Sequence, residues 1–265
     1  MNYRCTILGC GSSGGVPRIG MNWGACDPNN PKNRRLRCSA LIERKGQGGR
    51  TAVLIDTSPD FRAQILSTRL TALDGVLYTH DHADHTHGID DLRMVAFSMK
   101  SRVDVYYDRA TGESLKTRFA YCFETPAGSA YSPILNGHEI DGVTPVTING
   151  AGGPIVARPV PQAHGSIMSL GFRISNLAYS PDLSDIPEES VPLLSGLEVW
   201  IVDALRYTRH ESHFNVKQAL EWVRRLKPKR TILTHMTSEL DYATLARELP
   251  EGVEPAYDGM MIEFS

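Results

Sequence analysis

The chain has 265 residues, 41% of them hydrophobic, enough to bury a substantial core as one large domain or two small ones. Its 28 basic and 30 acidic residues leave a formal charge of -2, which excludes a chain-wide field that would gather nucleic acid or an anionic membrane. Five scattered cysteines, no apolar run of membrane-spanning length and no secretory pattern in the first residues together predict a soluble, cytoplasmic protein with reduced thiols.

Tyr3–Leu8 reads as a buried strand running into the turn Gly9–Pro17, whose glycines suit either a tight turn or a backbone approach to an anion. A polar stretch from Met21 to Arg37 follows, ending in Arg34, Arg35, Leu36 and Arg37, a charge run expected on a solvated loop or against a substrate. Ser39–Arg44 and Thr51–Ile55 form a predicted hairpin closed by Asp56. Ser58 and Pro59 then suit an N-cap and first helical position, with Phe61, Ile65, Leu66 and Leu70 at helical spacing. Gly75–Tyr78 is a short apolar strand, Gly88–Phe97 a helix with Ile89, Leu92, Val95 and Ala96 on one face, and Val103–Tyr106 another strand. From about Thr125 to Gly153, Gly, Pro, Ser and Asn predict irregular turns with short edge strands, without an internal repeat or a clean domain boundary. Strands are expected at Ile155–Val160, Ser169–Ile174, Leu177–Tyr179, Val199–Val202, Thr231–Leu233 and Met260–Phe264, and helices at Val216–Leu226 and about Glu239–Leu249.

Directly after the Gly75–Tyr78 strand comes His80-Asp81-His82-Ala83-Asp84-His85, three imidazoles and a ligand-spaced carboxylate in six residues. Neutral imidazole and carboxylate suit zinc, manganese, iron or similar ions, and an extended i, i+2 pair aims His80 and His82 to one side while Asp84 and His85 turn towards a second ion. His164, Asp182 and His235 each follow a predicted strand, as this cluster does, so strand ends on one edge can bring them together.

These residues resemble the metallo-beta-lactamase superfamily, whose H-x-H-x-D-H motif with a distant His, Asp and His matches His80, His82, Asp84, His85, His164, Asp182 and His235. The resemblance implies an α+β fold, the αββα four-layer sandwich, over a single domain spanning residues 1–265. It also implies two divalent ions per chain, zinc or manganese, one on His80, His82 and His164, the other on Asp84, His85 and His235, with Asp182 bridging both. Asp56 matches a strand-end aspartate that would hold the metal loop from behind. Nearly the whole chain is similar to the phosphodiesterase branch, especially the phosphoribosyl cyclic phosphate phosphodiesterases, through Leu8–Pro17, Arg34–Ser39, Gly88–Arg93, Ser212–Leu220, Ile232–His235 and Tyr257–Met260.

That likeness implies hydrolysis of a small phosphodiester by a hydroxide on the metal pair, with Asp84 orienting it and His213 as general acid, a role that suits a His beside the start of a helix near a metal pair; His210 is its rival for that job, and capping the Val216 helix is its ordinary alternative. Arg93 and Arg35 would bind substrate, and the chain would pair as a homodimer. The branch's structural zinc would fall on Met21, Trp23, Cys26 and Ser238, a set with one thiol, so no structural zinc is expected. An RNA 3′-processing endonuclease resembling tRNase Z is the alternative, weakened by a short Gly/Pro stretch nearly free of Lys and Arg. Further alternatives are a metal-binding carrier of the same fold without turnover, and a thioester or beta-lactam hydrolase.

Overall fold

A computed structural model describes residues 2–265; Met1, part of the stretch read for a leader, lies outside them. Six strands open the first sheet: β1 (Asn2–Gly9), β2 (Ser39–Gly46), β3 (Gly49–Ile55), β4 (Gly75–Leu77), β5 (Val103–Tyr107) and β6 (Leu135–Glu139). The next seven form the second sheet: β7 (Val146–Ile148), β8 (Ile155–His164), β9 (Ile167–Ile174), β10 (Leu177–Ser180), β11 (Val199–Asp203), β12 (Arg230–Thr234) and β13 (Val253–Pro255). The last strand, β14 (Met261–Phe264), returns to the first sheet beside β1.

The two sheets have one plan. In the first, β14-β1-β2-β3 pair antiparallel and β3-β4-β5-β6 parallel; in the second, β7-β8-β9-β10 pair antiparallel and β10-β11-β12-β13 parallel. This structural repetition leaves no mark in the residue pattern, because strand pairing constrains which positions face the core, not which apolar side chain fills them.

Alternation divides each strand between two cores. Ala40, Ile42, Val53 and Ile55 point between the sheets, against Phe172, Tyr179 and Ile201, whereas Leu41 and Leu54 point outward to a second core. That outer core is roofed by Phe61 and Ile65 of α1 (Phe61–Thr68) and, beyond the single turn α2 (Ala83–Thr86), by Leu92, Val95 and Ala96 of α3 (Leu92–Met99). Two further helices, α4 (Arg109–Arg118) and α5 (Ala120–Phe123), complete that roof through Leu115 and Cys122. On the far sheet α6 (Val216–Leu226) and α7 (Tyr242–Glu248) cover the other face through Val216, Ala219 and Leu245. The result is the four-layer αββα arrangement of the metallo-beta-lactamase fold.

Several elements differ from expectation for identifiable reasons. Ser58 does not cap α1: its hydroxyl accepts from Asp60 N and its carbonyl from Phe61 N, so a tight turn precedes a helix that starts at Phe61. Residues 88–97 divide into a 3-10 turn, Ile89–Asp91, and α3, yet bury the expected face. β8 runs on through Pro159 and Pro161 to His164, because β7 pairs only Ile155–Ala157; beyond that β8 is an edge strand, where a missing N–H breaks no ladder. The polar helix α4 had no apolar stripe to announce it, although Asp108 caps it by accepting from Thr111 N.

The glycine-rich turn is a packing device. A Cβ on Gly9 would lie 2.1 Å from the Arg37 carbonyl oxygen and one on Gly11 2.9 Å from Arg35 Cβ, so the turn lets residues 35–37 cross it at van der Waals distance. All five cysteines are buried and unpaired, and among the described residues no helix is long and apolar enough to cross a membrane.

Candidate metal centre

The site lies where strand ends of both sheets meet. β4 gives out at Leu77, and the extended residues after it carry His80 and His82; His82 then stands at the N-terminus of α2, whose single turn presents Asp84 and His85. His164 ends β8, Asp182 follows β10, and His235 follows β12. Two of the strand-end residues, Asp56 and His235, hold left-handed backbone at φ 63° and 56°, a conformation Asp and His tolerate better than most residues and one that turns each chain abruptly off its sheet.

Donor atoms from all seven expected ligands converge. His164 Nε2 lies 3.3 Å from His82 Nδ1, and His80, His82 and His164 form one group with ligand atoms within 4.8 Å of one another. Asp84, His85 and His235 form a second group, with His235 Nε2 3.5 Å and His85 Nε2 3.7 Å from Asp84 Oδ2. Asp182 spans both: its Oδ1 is 3.1 Å from His85 Nε2, and its Oδ2 is 3.5 Å from His235 Nε2, 3.7 Å from His164 Nε2 and 3.9 Å from His80 Nε2. His82 is exposed at the mouth, which opens past Gly165, Ile167, Glu211 and Ser212; the other donors are buried or nearly so.

Hydrogen bonds behind the cluster orient the rings. Asp56 accepts from Thr79 N (2.8 Å), Thr79 Oγ1 (2.8 Å) and His85 Nδ1 (2.7 Å). Because the Thr79 hydroxyl donates to Asp56, it can only accept from His80 Nδ1, 2.9 Å away, and His164 Nδ1 donates to the Ser212 carbonyl at 2.6 Å. Three imidazoles thus spend Nδ1–H on fixed acceptors and turn the bare Nε2 inward, the tautomer a metal needs.

The donor set passes a direct test of fit to divalent cations. Nε2 of His80, His85 and His235 and Oδ1 of Asp182 are buried without any hydrogen-bond partner, an arrangement costly enough that something must satisfy them. Burial, with His85 close by, pushes His80 well below the usual imidazole range, and burial lowers His164 to about 4, so both rings are neutral with lone pairs free. Burial opposes a charge on His85 too, but Asp182 and Asp56 outweigh it and raise that ring; its proton and a cation compete for one place. Burial works against the Asp182 and Asp84 carboxylates, yet the surrounding histidines hold both ionised, far below the ordinary range.

His213 joins the rim, its side chain 11% exposed and its ring centre 4.7 Å from those of His164 and His235. Its Nδ1 donates to Asp203 Oδ2 at 2.8 Å, which leaves Nε2 as the free nitrogen. Asp203, at the end of β11, is the functional position that residue-by-residue reading passed over, although it shares the strand-end signal of Asp56. His210 stands 5.2 Å behind His213, accepting from Ser212 N, and belongs to none of the donor groups among the described residues.

The two arginines fare differently. Arg35 is a correction: expected at the substrate, it is 1% exposed, donating to the Thr237 carbonyl at 3.0 Å and the Leu240 carbonyl at 2.6 Å. Those carbonyls draw the guanidinium inward, where it ties the N-terminal loop to the loop after β12, near Cys26, whose Sγ lies 3.5 Å from the Ser238 carbonyl. Arg93 stays at the surface, on α3, paired with Asp90 at 2.9 Å.

Residues 51–236 match the model of the beta-lactamase superfamily domain. The chain is 35% identical to a solved diphosphatase of the PhnP family, with TM-score 0.89 over 100% of this chain and 98% of that one. It is 31% identical over 97% of its length to an octanoyltransferase of Porphyromonas gingivalis, of which it spans about half, 51%. Human short-form tRNase Z shares the fold at TM-score 0.64 and 16% identity, each chain covered to 98%. Fold and donor cluster together define a hydrolase of the metallo-beta-lactamase type. The chain belongs to the metallo-beta-lactamase superfamily, and within it to the phosphodiesterase branch.

Proposed function

We propose that the protein, acting as one domain over its whole length, is a dinuclear metal-dependent phosphodiesterase that opens small, cyclic or nucleotide-type ribose phosphodiesters. The observation that carries this is the Asp203–His213 pair at the rim of the seven-donor cluster: a histidine whose Nδ1 is held by Asp203 at 2.8 Å and lies 3.8 Å from Asp182 Oδ2, which seats the ring against the donors with Nε2 uncommitted. An acyl hydrolase with a good leaving group has little use for such a donor. Likeness to a PhnP-family diphosphatase supports hydrolysis at a phosphoryl centre.

His80, His82 and His164 would hold one divalent ion and Asp84, His85 and His235 the other, with Asp182 between; zinc and manganese both suit these ligands. When bound, such a pair supplies hydroxide at neutral pH and draws charge off a phosphoryl oxygen. Asp84, 13% exposed at the edge of the cluster, orients the attacking water through its outer oxygen. His213 Nε2 delivers a proton to the departing ribose oxygen as the P–O bond breaks, while Asp203 holds the ring in place; burial lowers the ring below the usual imidazole range, which makes its protonated form a ready donor. Arg93 binds the rest of the substrate through guanidinium N–H groups not engaged by Asp90.

The test compares metal-loaded protein on a cyclic ribose phosphodiester, on a chromogenic aryl diester and on unprocessed tRNA. Turnover of the small esters without RNA cleavage supports the proposal; cleavage of RNA alone would transfer the assignment to 3′-end processing. The stretch that would have to carry an RNA-clamping arm is instead spent on β6 and β7 at the two sheet edges, joined by short turns.

A further inference from the structure

We infer that a second cleft, beside the metal loop, is a subsite for the planar heterocyclic base of a nucleotide-type ester, an inference that rests on the phosphodiester reading of the site. The cleft, of about 520 Å³, is lined by Arg93, Phe97, Tyr121, Pro126, Ser129 and Tyr131.

Its position follows from two elements that abut the metal loop. α3 leaves that loop through the turn at Ile89–Asp91 and carries Arg93 and Phe97. The opposite wall begins with α4, which is clamped to the loop: Ser114 Oγ donates to Asp81 Oδ2 at 2.7 Å, and Arg118 donates to the Asp81 carbonyl at 2.7 Å and to Oδ2 at 3.0 Å. Phe119 meets His87 edge-on at 5.5 Å, and Tyr121 follows two residues later on α5. The cleft's walls are thus carried by the elements that flank residues 81–87, the stretch that supplies His82, Asp84 and His85.

Its chemistry selects a flat, uncharged ring. Phe97, Tyr121 and Tyr131 are 60%, 43% and 75% exposed, a concentration of large aromatic surface that folding alone would bury. A turn fixes the last of them: Ser129 N donates to the Pro126 carbonyl, and Ser129 Oγ accepts from Tyr131 N at 3.1 Å. Arg93 is paired with Asp90 through one N–H at 2.9 Å, which offsets its charge. A second phosphate would meet a neutralised pair; a base meets aromatic faces, each able to stack without regard to sequence.

The experiment measures KM for adenosine 2′,3′-cyclic phosphate and for a base-free cyclic ribose phosphate. A built base subsite gives the wild type a preference of about tenfold or more for the base-bearing ester. Tyr121→Ala and Tyr131→Ala should bring that ratio close to one, whereas Tyr131→Phe should keep it. A wild type without preference, or a preference that survives both alanine variants, overturns the inference. If neither ester is turned over, the phosphodiester reading fails by itself, and the cleft is judged by calorimetric titration with AMP. Binding weakened about tenfold by the alanine variants then supports the subsite, and absence of binding to the wild type overturns it.

Discussion

Asp56 at the end of β3 and Asp203 at the end of β11 are fully buried carboxylates, one per sheet, standing behind the same cluster of donors. Asp56 has both oxygens engaged, by two groups of Thr79 and by His85, and so holds the first sheet's ligands in one geometry. Asp203 takes His213 Nδ1 and Leu183 N on Oδ2 alone, while its Oδ1 is buried without a partner, 3.8 Å from the equally unpartnered His235 Nδ1. Burial raises both carboxyls, most strongly Asp203, against the pull of the neighbouring histidines. A saturated carboxylate fixes a ring; a half-saturated one can also follow a change in the proton on its partner. On the proposed function the two aspartates thus divide the work, Asp56 steadying metal ligands and Asp203 the proton donor, while the ligands themselves come from both sheets.

The sharpest way to break that division is His213→Ala. It should lower kcat by about 10²- to 10⁴-fold on esters with an alkoxide leaving group and far less with nitrophenolate, at unchanged metal content by elemental analysis. Loss of metal instead would make His213 a ligand and dissolve the distinction. Arg35→Ala tests whether the two halves must be tied together. With the Thr237 and Leu240 carbonyls left unsatisfied, thermal unfolding should show a loss of about 2–4 kcal/mol. Asp56→Asn should weaken metal binding by about 10- to 100-fold in a chelator titration while sparing kcat once the metal is saturating. Asp203→Asn should show the reverse pattern at smaller size, kcat down by about tenfold at unchanged metal affinity.

The ligands were legible in the sequence because each obeys a local rule: a titratable residue stands at or just after an apolar run that ends. α6 was legible to the residue, since its apolar residues recur at helical spacing and Pro228 follows its end; the structure adds the capping box of Asn215 and Gln218 at its start. Arg35 was not legible, because its partners lie more than 200 positions away and a charge run looks the same whether it meets water or carbonyls. Asp203 stands at a strand end as Asp56 does, but Asp56 was singled out by the family resemblance, and the meaning of Asp203 depends on His213 folding back ten residues later. The paired architecture of the two sheets was invisible for a broader reason: hydrogen-bonded topology is carried by the backbone, and many apolar sequences satisfy it equally well.

Anomalous diffraction from crystals of the metal-loaded protein tests the division of labour most directly. Two peaks are expected, one among His80, His82 and His164 and one among Asp84, His85 and His235, with His213 bound to neither and still paired with Asp203. A single peak among Asp203, His213 and His235, a group whose ligand atoms also lie within 4.8 Å of one another, would contradict it.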